Sequence, residues 1–270
     1  MIKQKIKEHY DFVSPYYQKL WGNHIHHGYY TTGDETKEDA QEKLIKLLIN
    51  KAQIKKGSKV LDIGCGIGAT SIYLSKNYNC KVKGITISPK QIEMARTLSS
   101  NLKPLIKPDF EVGDANNLNL KEQFDIIWSV EMISHLEKRK EFLKKCAHLL
   151  KKEGRIIIAD WFKKENLNQK DLKKFIRPID SGMLVSLWTS KEYRKILSEE
   201  GLELRYYEDI SENVKKTWDI CLKLIKKKEF WDLAMNHSRE LIKFLKSFSS
   251  MKKGYETKNL KYEVIIFSKT

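Results

Sequence analysis

The stretch KVLDIGCGIGAT, Lys59 to Thr70, decides the fold. Val60, Leu61 and Ile63 make an apolar run with an acid near its end, Asp62, and the run passes straight into glycines at alternate positions, Gly64, Gly66 and Gly68. This pattern predicts a buried strand that ends in a tight loop. Glycine tolerates positive φ, and it lets a bulky ligand lie on the main chain at the start of the following helix, where unpaired amides face outward. A nucleotide-like ligand on this turn is the expectation; a plain tight turn is the alternative that the loop by itself leaves open.

Working outward, Asp34 to Gln53 places Ala40, Leu44, Leu47, Leu48 and Ala52 on one helical face, with acids in its first turn. After the glycine loop the pattern predicts a helix over Thr70 to Lys76, a strand over Lys81 to Ile87, and a helix over Pro89 to Ser100 capped by Ser88. Strands at Asp109 to Val112, Phe124 to Val130 and Arg155 to Asp160 follow, with a helix at Lys138 to Leu150. Continuous apolar strands alternating with helices imply a parallel sheet covered on both faces. Past Asp160 the rhythm changes. Phe162 to Pro178 reads as a Lys-rich helix, Trp188 to Gly201 as a capped helix, Leu202 to Tyr207 as a strand, Ser211 to Ser247 as one or two long helices, and Leu260 to Ser268 as a last strand. The expected fold is α/β: a single domain over residues 1–270 with a Rossmann-like, seven-stranded, mostly parallel sheet, helices on both faces and a helical cap. Its parts are an N-terminal helical entrance segment (1–55), a cofactor-binding core (56–162) and cap insertions (163–200 and 210–255) near the carboxyl ends of the strands, where open α/β sheets bind ligands.

Two cofactors compete for the loop. Gly64, Gly66 and Ala69 fit the looser dinucleotide fingerprint, which needs an acid about twenty residues on for the ribose. The second strand offers Thr86 and Ile87 there and no carboxylate, which weighs against NAD. Asp62 beside the first glycine instead suits an ammonium group, and D-x-G-x-G-x-G resembles the first motif of class I S-adenosylmethionine-dependent methyltransferases. That resemblance implies S-adenosyl-L-methionine as cofactor and S-adenosyl-L-homocysteine as product, with Asp62, Gly64 and Gly66 at the methionine end. GITISPKQ, Gly84 to Gln91, is similar to the variant in γ-tocopherol methyltransferases and cyclopropane fatty acid synthases, and so implies Thr86 and Gln91 as ribose ligands. Gly113, Asp114 and Ala115 match the segment that holds adenine, and Val130 and His135, at and beyond the fourth strand tip, complete the implied cofactor contacts.

HYDFVSPYYQKLWGNHIHHGYY, His9 to Tyr30, resembles the entrance segment of γ-tocopherol methyltransferases and related small-molecule methyltransferases. DISENVKKTW and MKKGYETKNLKY resemble later parts of the same group. By that resemblance His26 faces the pocket, with His27 beside it; burial of Tyr16, Tyr17, Leu20 and Trp21 in an ordinary packed helix is the other reading. Methyl transfer needs alignment, exclusion of water and, for many acceptors, a base. His135 in WSVEMISHL is the candidate base or acceptor orienter, a helix-capping His the alternative; Glu131 in the same loop is a candidate for the cofactor's methionine end or the acceptor. Asp160, Trp161 and Phe162 are candidates to line the acceptor pocket, though a strand-end Asp also caps helices.

The bulk numbers set the boundaries. With 270 residues, 41% of them hydrophobic, the chain can bury one substantial core. No run of about eighteen apolar residues occurs, and the first residues are too polar for a secretory signal, so a cytoplasmic protein is expected. Cys65, Cys80, Cys146 and Cys221 lie far apart with no metal-ligand spacing, so they are expected to be reduced and mostly buried, with no metal site. The net charge of +16 raises nucleic acid or an anionic membrane surface as a partner, but the lysines spread over helix faces and outnumber arginine, which favours a solvated surface. The acceptor is thus expected to be a small molecule: a phenol or quinol ring first, an amine or sugar hydroxyl next. A cyclopropane synthase shares GITISP, but the acid expected before its pocket His is Ser134 here. A nucleic-acid methyltransferase would need a recognition module or an Asn/Asp-Pro-Pro-aromatic motif, absent from the sequence. A non-catalytic cofactor sensor is the third class.

Overall fold

Helices α1 (Ile2–Trp21) and α2 (Lys37–Ala52) lead into β1 (Lys59–Ile63), α3 (Ala69–Tyr78), β2 (Lys81–Thr86), α4 (Pro89–Leu98) and β3 (Asp109–Val112). The chain then crosses to β4 (Phe124–Val130), α5 (Arg139–Leu149) and β5 (Leu150–Lys163). Short helices α6 (Gln169–Asp171) and α7 (Arg177–Met183) flank a π-helical turn; α8 (Ser190–Glu199), β6 (Leu202–Asp209), α9 (Ser211–Val214), α10 (Lys216–Leu224), α11 (Arg239–Glu256) and β7 (Leu260–Lys269) complete the order. This is a computed structural model that describes residues 2–103, 107–226, 228, 231, 235 and 239–270.

The strands form one seven-stranded sheet in the order β3-β2-β1-β4-β5-β7-β6. Six run in one direction, and β7 alone runs against them, inserted between β5 and β6. Strand β1 sits where the order reverses, with Asp62 level with Gly84 of β2 on one side and Trp128 of β4 on the other. Such a switch point leaves a crevice beyond the carboxyl ends of the strands.

Strand alternation fills both faces. Val60, Ile126, Trp128 and Ile157 pack with Leu44 and Leu48 of α2 and with residues of α7, α10 and α11. Leu61, Ile127, Ile156 and Ile158 point the other way, against Phe142 and Leu143 of α5 and Leu197 of α8. Each fully buried aliphatic side chain contributes roughly 1.5–3 kcal/mol, so the continuous apolar runs fix the register of the middle strands. At the β3 end, Ile92 and Ala95 of α4 pack with Phe110. Cys65, Cys80 and Cys146 are buried thiols, Cys221 is half-buried, and none is disulfide-bonded.

Three expectations need correction. Leu150 does not end a helix: it opens β5 and pairs with Phe124. At the other end Phe162 and Lys163 still pair with Lys261 and Leu260 of β7, so Phe162 belongs to the strand and the helix expected from it begins only at Gln169, capped by Asn168. The pairing is long-range, which is why local composition misplaces it. The stretch 163–200 also divides: α7 packs on α11, whereas α8 packs on α5 and β6 as one of the helices that cover the sheet. Of the helices expected across 211–247, positions 227, 229, 230, 232–234 and 236–238 lie outside the described residues. Helix α11 continues past 247 because Met251 and Tyr255, one turn apart, are both buried.

Candidate functional site

A cavity of about 280 Å³ opens beyond the carboxyl ends of β1, β2 and β4, and every residue singled out above for cofactor or catalysis lines it. On its polar side, Asp62 is 3% exposed and accepts one side-chain bond, from Ser71 Oγ at 2.6 Å. Burial pushes its carboxyl up to about 7, with the Ser71 bond opposing. Gly66 adopts φ 54°, and a Cβ there would project toward Ile25 Cδ1 at 3.7 Å and Gln91 Nε2 at 4.0 Å. Any side chain would therefore fill ligand space. The next strand tip brings Thr86 and Gln91 together: Thr86 Oγ1 donates to Gln91 Oε1 at 2.6 Å, both side chains buried. Gly113 closes against Ile85, whose Cγ2 lies 2.5 Å from where a Cβ would stand. Beside it Asp114 accepts from Asn116 N at 2.9 Å and pairs with Lys3 Nζ of α1 at 2.8 Å. Burial raises its pKa, but Lys3 and Asn116 outweigh that and hold it below the usual carboxylate range.

His135 stands in a 3-10 turn, Ile133–His135, before α5. The turn is clamped from both sides. Asp160 Oδ2 accepts from Ser134 N at 3.0 Å, and buried Arg139 donates through Nε to Ile133 O at 3.0 Å and through Nη2 to Ser134 O at 2.8 Å. Asp160 is thus a positioning residue; the cavity wall takes Trp161 and not Asp160 or Phe162, whose ring packs on Tyr193 in the opposite layer. Burial pushes the Asp160 carboxyl up to about 7. His135 Nδ1 lies 3.0 Å from the Leu184 carbonyl, which can only accept, so the proton sits on Nδ1 and the Nε2 lone pair is an acceptor. Tyr10 OH of α1 lies 3.1 Å from that Nε2 and donates to it. Burial, helped by the Arg139 charge, pushes His135 down to about 4, against the pull of Leu184 O and Glu131. His135 is therefore a neutral base at ordinary pH, and it does not cap α5, which starts at Arg139.

Glu131 lines the same cavity and is tied to the entrance segment. It is mostly buried, with φ 52°, and its Oε1 accepts from His27 N at 2.7 Å, His27 Nδ1 at 3.0 Å and Tyr262 OH at 2.9 Å. Burial raises its pKa, but the His27 ring and amide outweigh it and hold the carboxyl below its ordinary value. Its first task is to fasten the entrance segment to the tip of β4. The His27 ring lies among Trp161, Trp218, Tyr255 and Tyr262. His26 turns Nδ1 to the His27 carbonyl at 2.8 Å and leaves Nε2 buried without a partner on the cavity wall. Gly28 is needed because Ala40 Cβ lies 2.6 Å from where its own Cβ would be.

The remaining wall is apolar: Tyr17 of α1, Trp161, Met183, Trp218 of α10, and Phe244 and Phe248 of α11. Of these only Tyr17 and Trp161 were marked in the sequence. Tyr10 and Asp11 were missed although they lie in the HYDF segment; Asp11 Oδ1 accepts from Ser88 Oγ at 2.5 Å and from Lys90 N at 3.3 Å, which fixes α1 on the start of α4. Their signal was the paired polar residues within an otherwise amphipathic helix.

The family model for mycolic acid cyclopropane synthetase matches residues 2–255. A probable tocopherol O-methyltransferase of Oryza sativa subsp. japonica is 32% identical over 82% of the chain and 66% of its own length. The 2-methyl-6-phytyl-1,4-hydroquinone methyltransferase of Synechocystis is 34% identical over 70% of the chain and 55% of its own length. The chain thus spans about half to two thirds of these relatives. Among solved structures, a mycolic acid cyclopropane synthase in complex with SAH and CTAB superposes with a TM-score of 0.88 at 18% identity, covering 99% of this chain and 98% of that one. Among the described residues no helix is long and apolar enough to cross a membrane.

Proposed function

From the premise that the chain belongs to the mycolic acid cyclopropane synthetase family, and is a class I S-adenosylmethionine-dependent methyltransferase, we propose that it methylates a small molecule carrying a phenol or quinol ring, at oxygen or ring carbon. The residues present fit the cofactor. Asp62 is a buried carboxylate with one hydroxyl partner and room for a cation, Gly66 leaves the main chain bare, and the Thr86–Gln91 pair offers a buried polar edge for ribose hydroxyls. Asp114 can reach the adenine amine by sharing or releasing Lys3. When bound, the cofactor supplies a methyl group already activated on a sulfonium. The protein's own part is to exclude water with the aromatic wall, align the acceptor, and hold a base.

The observation that carries the reading is His135: a neutral imidazole with its proton fixed on Nδ1 and its Nε2 lone pair at a cavity wall shared by polar strand tips and aromatic side chains. A ring hydroxyl gains nucleophilicity when such a base takes its proton. The named relatives act on a tocopherol and on a phytyl hydroquinone, acceptors that join a phenolic ring to an apolar tail, and the mixed wall of this cavity suits that combination. The test is calorimetric titration with S-adenosylmethionine, with NAD as control, followed by turnover with γ-tocopherol and 2-methyl-6-phytyl-1,4-hydroquinone. Saturable cofactor binding with methyl transfer to either ring supports the proposal. Transfer to an amine panel and to neither ring overturns the acceptor class.

A further inference from the structure

We propose that Tyr10 is a catalytic residue: its hydroxyl takes the proton of the acceptor hydroxyl as it passes its own proton to His135 Nε2. This rests on the phenol or quinol reading above and adds a second member to its base. An imidazole nitrogen has one lone pair, and at Nε2 that lone pair already receives the Tyr10 hydroxyl at 3.1 Å. A hydroxyl arriving from the cavity therefore cannot bond to His135 without displacing Tyr10. The Tyr10 oxygen, which lines the same cavity, still has lone pairs to accept it.

Tyr10 is held for this position from both directions along α1. Its carbonyl receives Ser14 Oγ at 2.5 Å, and its neighbour Asp11 is bound to Ser88 and Lys90 beside the ribose pair. Lys3, two turns earlier, reaches Asp114 in the adenine corner. The two rings meet edge-on, with centroids 5.8 Å apart at 82°. The charged and titratable groups around the pair are Glu131 and Asp160, which disfavour a tyrosinate, Arg139, which disfavours an imidazolium, and the neighbouring rings of His9 and Tyr17. Burial and the two acids hold the Tyr10 phenol well above its ordinary pKa, so it passes a proton without resting as an anion.

The step balances. In transfer to oxygen, the acceptor oxygen uses a lone pair to form the O–CH3 bond, and the S–CH3 bond breaks with its electrons remaining on sulfur, which becomes a neutral thioether. The acceptor proton moves to the Tyr10 oxygen and the Tyr10 proton to His135 Nε2. The positive charge lost from sulfur ends on an imidazolium whose Nδ1–H still donates to Leu184 O.

The experiment combines turnover of γ-tocopherol and 2-methyl-6-phytyl-1,4-hydroquinone with 15N NMR of histidine-labelled, cofactor-free protein. Tyr10→Phe is expected to lower kcat about 100-fold, to leave S-adenosylmethionine affinity unchanged, and to move the His135 Nε2 resonance to that of an unbonded imidazole nitrogen. Replacing Tyr10 by 3,5-difluorotyrosine, which keeps the hydroxyl but lowers its pKa, is expected to restore turnover and shift the pH profile of kcat. A purely structural role predicts normal turnover in the fluorinated protein with an unmoved profile, and that result overturns the relay. So does a Tyr10→Phe protein with wild-type kcat, or an unmoved Nε2 resonance. Absence of turnover in the wild-type protein is a failure of the acceptor reading, and the relay falls with it.

Discussion

The two sides of the cavity are assembled by different means. The cofactor side is local: Asp62 to Gly66 span the end of β1, Thr86 to Gln91 span the end of β2, and Gly113 to Ala115 follow β3, so each cluster lies within a few residues of a strand end. The acceptor side is collected from the whole chain, with Tyr10 from α1, His135 from the loop after β4, Trp161 from β5, Trp218 from α10 and Phe244 from α11. The first depends on a sheet whose register is set by buried aliphatic runs; the second depends on how three separate helices settle on that sheet. A substitution on one side should therefore leave the other side's ligand largely undisturbed, and that separation can be broken by experiment.

The largest effect is expected at Gly66. Valine there must adopt φ 54° and place its side chain between Ile25 and Gln91, so S-adenosylmethionine binding should fall by more than about 100-fold, the cost of roughly 3 kcal/mol of lost or blocked contacts. Far-UV circular dichroism should remain native, because the loop lies outside the strand pairing. Asp62→Ala should act in the same direction. Wild-type affinity in either variant would take the glycine loop out of the site. Next is His135→Ala, with turnover reduced about 100-fold at unchanged cofactor affinity in calorimetry. A parallel loss of cofactor affinity would mean that His135 serves the polar side and that the two sides are one.

The same division decides what the sequence discloses. The strand-loop boundary at Ile63 and Gly64, the Ser88 cap and the Thr86–Gln91 pair are all readable because hydrophobic period, glycine and helix-cap chemistry act over fewer than about ten residues. The bond between Thr86 and Gln91 needs only the turn between them. Phe162 was misassigned because its place is fixed by β7, about a hundred residues later. The partners of Glu131, His27 and Tyr262, are drawn from both ends of the chain, and no local pattern names them. Tyr10 and Asp11 escaped for the same reason: nothing near them in sequence names His135 or Ser88 as partners.

A smaller effect tests the apolar wall. Phe244→Leu keeps an apolar group in α11 but trims the face toward the cavity, and the apparent KM for a phytyl-bearing quinol should rise about tenfold, on the order of one buried methylene or two. Cofactor affinity should hold. If KM is unchanged while cofactor binding weakens, Phe244 belongs to the wrong side of the comparison.

The smallest effect concerns charge, where burial treats the two sides in opposite ways. It raises Asp62 to about 7 and lowers His135 to about 4, so each favours its neutral form in the free protein. An ordinary unfolded carboxylate titrates near 3.9, so between about pH 4 and 7 the folded protein holds a proton on Asp62 that the unfolded chain has lost, and this group makes stability fall as pH rises. His135 works the other way. Between about pH 6.5 and 4 the unfolded imidazole gains a proton that the folded one refuses, so stability falls as pH falls. Each contributes at most about 1.4 kcal/mol per pH unit, with opposite sign, and Asp160 adds to the Asp62 side. Urea unfolding between pH 4.5 and 6.5 should therefore show a stability slope that becomes more positive in Asp62→Asn and more negative in His135→Gln. Slopes that tilt together would mean that at least one of these groups is already charged in the free protein, and that the two sides do not share a dry, neutral resting state.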